Sequence, residues 1–195
     1  MGKSESDKSV RGVAQALMRA IEIFNTDRDA GRLRTGILDA TRELSRRADL
    51  LDLGTKRQAN HIDNSKWLYY DGALSMSLDE FPQGKFIPPH DHGVWEALVV
   101  CRGRMQHSVY ARADDGTVEG HAELKVTEDV ELSPGEVAMV VPPGDIHSFK
   151  AAVAGTFVIT IVGGEYSTTR RYYKLEDNTY MVKTPTALRE SGALA

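Results

Sequence analysis

Apolar residues recur at Val10, Val13, Leu17, Ile21 and Phe24, a spacing of three and four that predicts an amphipathic helix over residues 10–24. The same period at Leu33, Ile37, Leu44 and Leu51 predicts a second helix over residues 30–51. Arg42, Glu43, Arg46 and Arg47 fall mostly on its other side. The nine residues "MGKSESDKS" that come first are polar and read as a loose tail. After Gly54 the period changes to two, with β-branched and aromatic residues between turn dipeptides. Strands are predicted over 67–70, 74–81, 86–89, 95–101, 105–112, 122–132, 137–141, 146–151, 156–162 and 171–174. Turns fall at "DDG", "SPGE" and "PPGD". Many short strands without intervening helices predict a mainly β sandwich or barrel behind an N-terminal helical cap. The chain divides into a tail and cap (1–60), a barrel (61–175) and an extension (176–195), together one structural domain.

One strand departs from its apolar texture. In "PPHDHGVWEALVVCRG", positions 88–103, His90, His92 and Glu96 occupy i, i+2 and i+6, which share one face of a regular strand, with Leu98 and Val100 continuing that face. A turn at Gly93 would disturb this. Two imidazoles and a carboxylate form a ligand set for a divalent first-row metal, and coordination removes the penalty of burying them. A fourth ligand is expected from "PPGDIH", where His147 opens a strand directly after a glycine turn. His61, His107 and His121 have no matching spacing and read as ordinary surface or loop residues. Trp67 and Trp95 read as core, and Cys101 as a small buried hydrophobe.

The whole pattern is Gly84, five residues, His90, one residue, His92, three residues, Glu96, six residues, Gly103; then Gly135, six residues, Pro142, one residue, Gly144, two residues, His147. It resembles the two motifs of the cupin superfamily, with one residue more than usual between Gly135 and Pro142. The resemblance implies a double-stranded β-helix, or jelly-roll barrel, with one metal inside it on His90, His92, His147 and Glu96. The long N-terminal helices, "IPPHDHGVW" and "CRGRMQHSVYAR" are similar to the cysteine-dioxygenase-type branch, which oxidises small thiols with non-haem iron. That likeness implies three histidine ligands and requires no carboxylate. The chain departs from the branch in three places. Glu96 stands where Cys or Gly is usual, residues 158–162 ("VITIV") stand where Ser-x-His-x-Tyr is common, and no arginine occurs between Arg57 and Arg102. Tyr69 or Tyr70 occupies the place of the arginine that would clamp a substrate carboxylate, so cysteine itself is not the expected substrate.

Three histidines leave two or three positions open on a six-coordinate metal, room for a chelating substrate and dioxygen. Iron(II) is the first choice of metal, with zinc or manganese as alternatives. The expected function is a dioxygenase acting on a small chelating organic molecule, whose substrate-binding residues the motifs do not name. A non-oxidative isomerase or lyase would instead use zinc or manganese as a Lewis acid, with Tyr69 or Tyr110 as acid or base. A third reading is a non-catalytic ligand-sensing cupin behind a helix-turn-helix. Against it, the predicted helices are long, and Arg42, Arg46 and Arg47 alternate with Asp39, Glu43 and Asp49.

Composition narrows the class further. Hydrophobic content of 41% and charged content of 27% belong to a folded globular chain. Residues 1–60 hold 12 Lys and Arg against 9 Asp and Glu, within a net charge of −4, so no basic surface suited to nucleic acid is expected. No apolar run approaches the length of about eighteen residues that a membrane span needs. A single cysteine and no leader pattern at the start predict a cytoplasmic setting. Exposed strand edges are compatible with a homodimer.

Overall fold

The computed structural model describes residues 5–58, 62 and 64–192. Helices α1 (Glu5–Asp27) and α2 (Ala30–Thr41) are joined by Arg28, whose positive φ of 57° turns the chain, and by Asp29, whose carboxylate caps α2 by accepting the Arg32 N–H at 3.0 Å. The helices cross closely at Gly36, where an added Cβ would lie 2.9 Å from that of Ala20. Helix α1 starts at Glu5 and takes in residues that read as tail from their polarity. Helix α2 stops ten residues earlier than its period predicts. Two single 3-10 turns, Leu44–Arg46 and Leu50–Asp52, follow it. The Thr41 hydroxyl donates to the Ile37 carbonyl and that of Ser45 to the Arg42 carbonyl, a local alternative to the helical ladder. Leu44 and Leu50 remain buried, which is why the apolar period outlasts the helix.

Twelve strands follow: β1 (Thr55–Arg57), β2 (Asn64–Tyr70), β3 (Ser75–Phe81), β4 (Phe86–His90), β5 (Glu96–Arg102), β6 (Met105–Arg112), β7 (Leu124–Leu132), β8 (Val137–Val140), β9 (His147–Ala151), β10 (Thr156–Val162), β11 (Arg170–Lys174) and β12 (Thr179–Lys183). They form two six-stranded antiparallel sheets, β1-β2-β3-β10-β5-β8 and β12-β11-β4-β9-β6-β7, so the fold is a mainly β jelly roll. Strands β1 and β12 and a short helix α3 (Pro185–Glu190) have no predicted counterpart. Strand β1 has three residues, two of them charged, and β12 is fixed by pairing with β11 after a turn in which Asn178 takes φ 54°.

Alternation along the first sheet serves two cores. On β5 and β10, Ala97, Val99, Cys101, Ile159 and Ile161 pack outward against Val13, Leu17, Leu33 and Ile37 of the helices. Leu98, Val100 and Val158 point the other way and meet Phe81, Ile87, Met105 and Phe149 between the sheets. A sheet covered on both faces carries almost unbroken apolar strands, as β5 does. Burial of Cys101 pushes its thiol up to about 12, so it is a packing residue and not a nucleophile. Among the described residues no helix is long and apolar enough to cross a membrane.

Leu17 is fully buried between helix and sheet. Leu17→Ala is expected to destabilise the protein by about 2–5 kcal/mol, read from urea unfolding. A loss under about 0.5 kcal/mol would mean the helices are not docked on the barrel.

Candidate metal centre

The chain turns sharply between β4 and β5, and the three histidines come from different backbone settings because of it. His90 ends β4, His92 lies in the connecting turn before Gly93 (φ 71°), and His147 opens β9, paired in register with His90. All three are buried, and one ring nitrogen from each falls within 4.8 Å of the others. Glu96 opens β5 beside them, with Oε2 at 3.7 Å from His92 Nε2 and Oε1 at 3.6 Å from His147 Nε2. The turn brings His92 and Glu96 together, where a straight strand would have done so by alternation.

The far nitrogens are occupied. Nδ1 of His90 meets the Pro88 carbonyl at 2.9 Å and Nδ1 of His92 meets the Val94 carbonyl at 3.0 Å. A carbonyl only accepts, so both rings carry their proton on Nδ1 and present a bare Nε2 to the centre. His147 Nδ1 lies 3.0 Å from His107 Nε2, and its Nε2 lies 3.1 Å from that of His92. The donor set therefore fits a divalent first-row metal held by His90, His92 and His147. With such an ion bound, His147 donates from Nδ1 to His107.

His107 was expected at the surface. It is buried on β6, two residues along from Met105 on the inward face, and it orients His147 from behind. The inward position could have been read from the alternation of β6, but the contact itself depends on the pairing of β6 with β9. His121 is half-buried in the β6–β7 connection and bridges Thr179; His61 lies outside the described residues. Asp145 ties the two motif loops together, accepting the backbone N–H groups of His92 at 3.2 Å and Gly93 at 2.8 Å from a position two residues before His147.

Neither tyrosine proposed as an acid or base reaches the centre. A bulge in β2 pairs Trp67 with Ser77 but Tyr69 with Met76, so Tyr69 turns to the helix side, where its hydroxyl donates to Asp71 at 2.8 Å. Tyr110 lies on the face of β6 opposite to His107, hydrogen-bonded to Ser148 at 2.9 Å and packed with Ile146 and Tyr173. The tyrosine at the centre is Tyr166, from the loop before β11, whose hydroxyl donates to Glu96 Oε2. Burial, and then the Glu96 carboxylate, push its hydroxyl well above the ordinary value of 10, so it stays protonated.

A cavity of about 90 Å³ opens beside His90 and Glu96, lined also by Leu98, Phe149 and Phe81. Arg57 and Arg170 line it too. An arginine at the cavity was judged absent because none occurs between Arg57 and Arg102. Strand pairing brings both in from outside that interval, Arg57 on β1 and Arg170 on β11. Asp79 on β3 lies deeper, accepting the hydroxyls of Ser65, Ser77 and Thr160. Its burial raises its pKa, against the pull of those hydroxyls and of Arg57.

Asp145→Ala removes the acceptor that fixes the His92 turn and is expected to weaken metal binding about 10- to 100-fold, measured by competition with a chromogenic chelator; unchanged affinity would show that the turn holds itself. Burial also pushes His107 down from 6.5 to about 4, partly offset by Asp129. An unfolded chain protonates this ring near 6.5 while the folded protein resists until about 4, so its contribution is complete above 6.5 and lost as pH falls through that window. Metal-free protein should lose about 3 kcal/mol on this account between pH 7 and 4, seen as a falling urea midpoint. His107→Gln should flatten that slope, and a wild-type midpoint constant over the range would contradict a neutral buried His107.

No protein-family model matches the chain, and no curated protein matches its sequence. Solved structures similar to it include KdgF from Halomonas sp., 19% identical over 52% of this chain and 80% of that one with a TM-score of 0.41. A cupin superfamily protein from Desulfitobacterium hafniense is 16% identical over 58% of this chain and 95% of its own, with a TM-score of 0.38. The DMSP lyase DddQ from Ruegeria pomeroyi is 14% identical over 70% of this chain and 66% of its own, with a TM-score of 0.43.

Proposed function

We propose that the protein is a metal-dependent oxygenase, a non-haem iron(II) dioxygenase acting on a small organic molecule that chelates the metal. The observation that carries this reading is the convergence of one ring nitrogen each from His90, His92 and His147 beside a cavity that guanidinium groups also line. Iron held by these residues would supply a redox centre for the reaction of substrate with dioxygen.

The chain's own residues have separable tasks. Arg170 anchors an anionic group of the substrate, since it lines the cavity with its guanidinium stacked 4.3 Å from the Tyr166 ring centre. Leu98, Phe81, Ile87 and Phe149 exclude water from the reacting end and so strengthen the charge interactions inside. Tyr166 holds the proton between its oxygen and Glu96 Oε2, keeping that carboxylate oxygen engaged. The hydrogen-bonded pair also favours a second reading, in which a redox-inert ion polarises the substrate while Glu96 and Tyr166 move a proton.

Protein purified anaerobically without a chelating tag should hold about one iron per chain, and His92→Ala should lose at least about tenfold of it. Oxygen consumption with small carboxylate-bearing thiols and diols should follow iron content. Zinc or manganese at that level, with turnover independent of oxygen, would replace the oxygenase by the Lewis-acid reading. Full metal content in His92→Ala would overturn the ligand set.

A further inference from the structure

Arg57 and Arg170 enter the cavity from opposite sheets, and neither makes an ion pair among the described residues. Each is stacked on an aromatic ring, Arg57 at 4.1 Å from the centre of Trp67 and Arg170 at 4.3 Å from that of Tyr166. Stacking fixes the guanidinium plane and leaves its edge N–H groups free for a planar, two-oxygen acceptor. Arg57 spends one N–H on the Ser77 hydroxyl at 2.9 Å. The buried Nε of Arg170 finds no acceptor among the described residues. The two mark different ends of the space. Arg170 stacks on Tyr166, which touches Glu96 and the His92 ring, whereas Arg57 donates to Ser77, itself bonded to Asp79.

The charges point the same way. Two guanidiniums line the cavity against Glu96 and Asp79, and burial disfavours the charged form of Asp79, so a bound divalent cation would leave an excess of positive charge there. An uncompensated charge there is unfavourable unless the ligand supplies its opposite. The cavity is small, about 90 Å³, so the balancing ligand is short.

We infer that the substrate is a small dicarboxylate, one carboxylate held by Arg170 beside the metal and the second by Arg57, with the metal-binding atom on the chain between them. This rests on the metal-dependent reading above and adds Arg57 as the residue that selects the second carboxylate. It predicts discrimination between acids of equal carbon number.

The test compares succinate with butyrate, four carbons each, by anaerobic calorimetry on the iron-loaded protein. Succinate is expected to bind wild type about 10- to 100-fold more tightly, the gain of one charge-assisted pairing. Arg57→Gln should abolish the difference while leaving butyrate affinity unchanged, and Arg170→Gln should weaken both acids. Arg57→Lys, which keeps the charge near Asp79 if the glutamine variant does not fold, should retain less than half of the preference expressed as log Kd. Equal affinity of wild type for the two acids, or a succinate preference that survives Arg57→Gln, would overturn the inference. Iron content measured on the same samples separates the two levels. A normal iron load with no succinate preference rejects the dicarboxylate alone, and failure to hold any divalent metal rejects the metal-dependent reading on which it rests.

Discussion

Three imidazoles can share the dry space between two sheets only if each keeps its proton away from the others. Here the backbone enforces this, because the carbonyls of Pro88 and Val94 hold the Nδ1 protons of His90 and His92 two residues along the chain from each ring. The result is that His90 and His92 turn bare nitrogens toward His147, an arrangement suited to a cation. His147 is held well below its ordinary pKa first by burial and then by His90 and His92. The same desolvation that would penalise a charged ring keeps the ligand in its metal-binding form.

This constraint explains features of the fold that look unrelated. The turn at Gly93 has to be sharp enough to present His92 and Glu96 to one point, and Asp145, from the other motif, holds its first two N–H groups. The register of β4 with β9 sets His90 opposite His147, and that of β9 with β6 brings His107 behind it. The helices cover the outer face of the first sheet, so β5 can turn its even positions, Glu96, Leu98 and Val100, wholly toward the interior. Packing on one side of a strand therefore frees the other for chemistry.

The parts of this that were legible in sequence are those set by neighbours along the chain. Alternation and turn residues placed ten of the strands within a few positions, and the spacing of His90, His92, Glu96 and His147 marked the centre. What escaped was set by pairing across the sheets. A single bulge reverses the parity of Tyr69, and no local pattern reports a bulge whose cause is the strand opposite. Arg57 sits on a three-residue strand defined only by its pairing with β2, and Tyr166 in an irregular loop. Arg57, Tyr166 and Arg170, which line the cavity, come from such positions, so the histidine cluster was readable in the sequence while the rest of the cavity was not.

The relation between Glu96 and Tyr166 shows how the two levels meet. A carboxylate 3.6–3.7 Å from nitrogens of His92 and His147 is close enough to compete for a cation bound by those rings. A buried phenol that is far from ionising donates to one of its oxygens. That hydrogen bond draws electron density from the oxygen and fixes the side chain's rotation, so binding to the metal through the same atom would require it to be given up. The number of protein ligands is thereby tied to a loop residue 70 positions away. It follows that the same histidine triad can serve an open, substrate-chelating centre or a closed, four-ligand one, according to what the loop before β11 supplies.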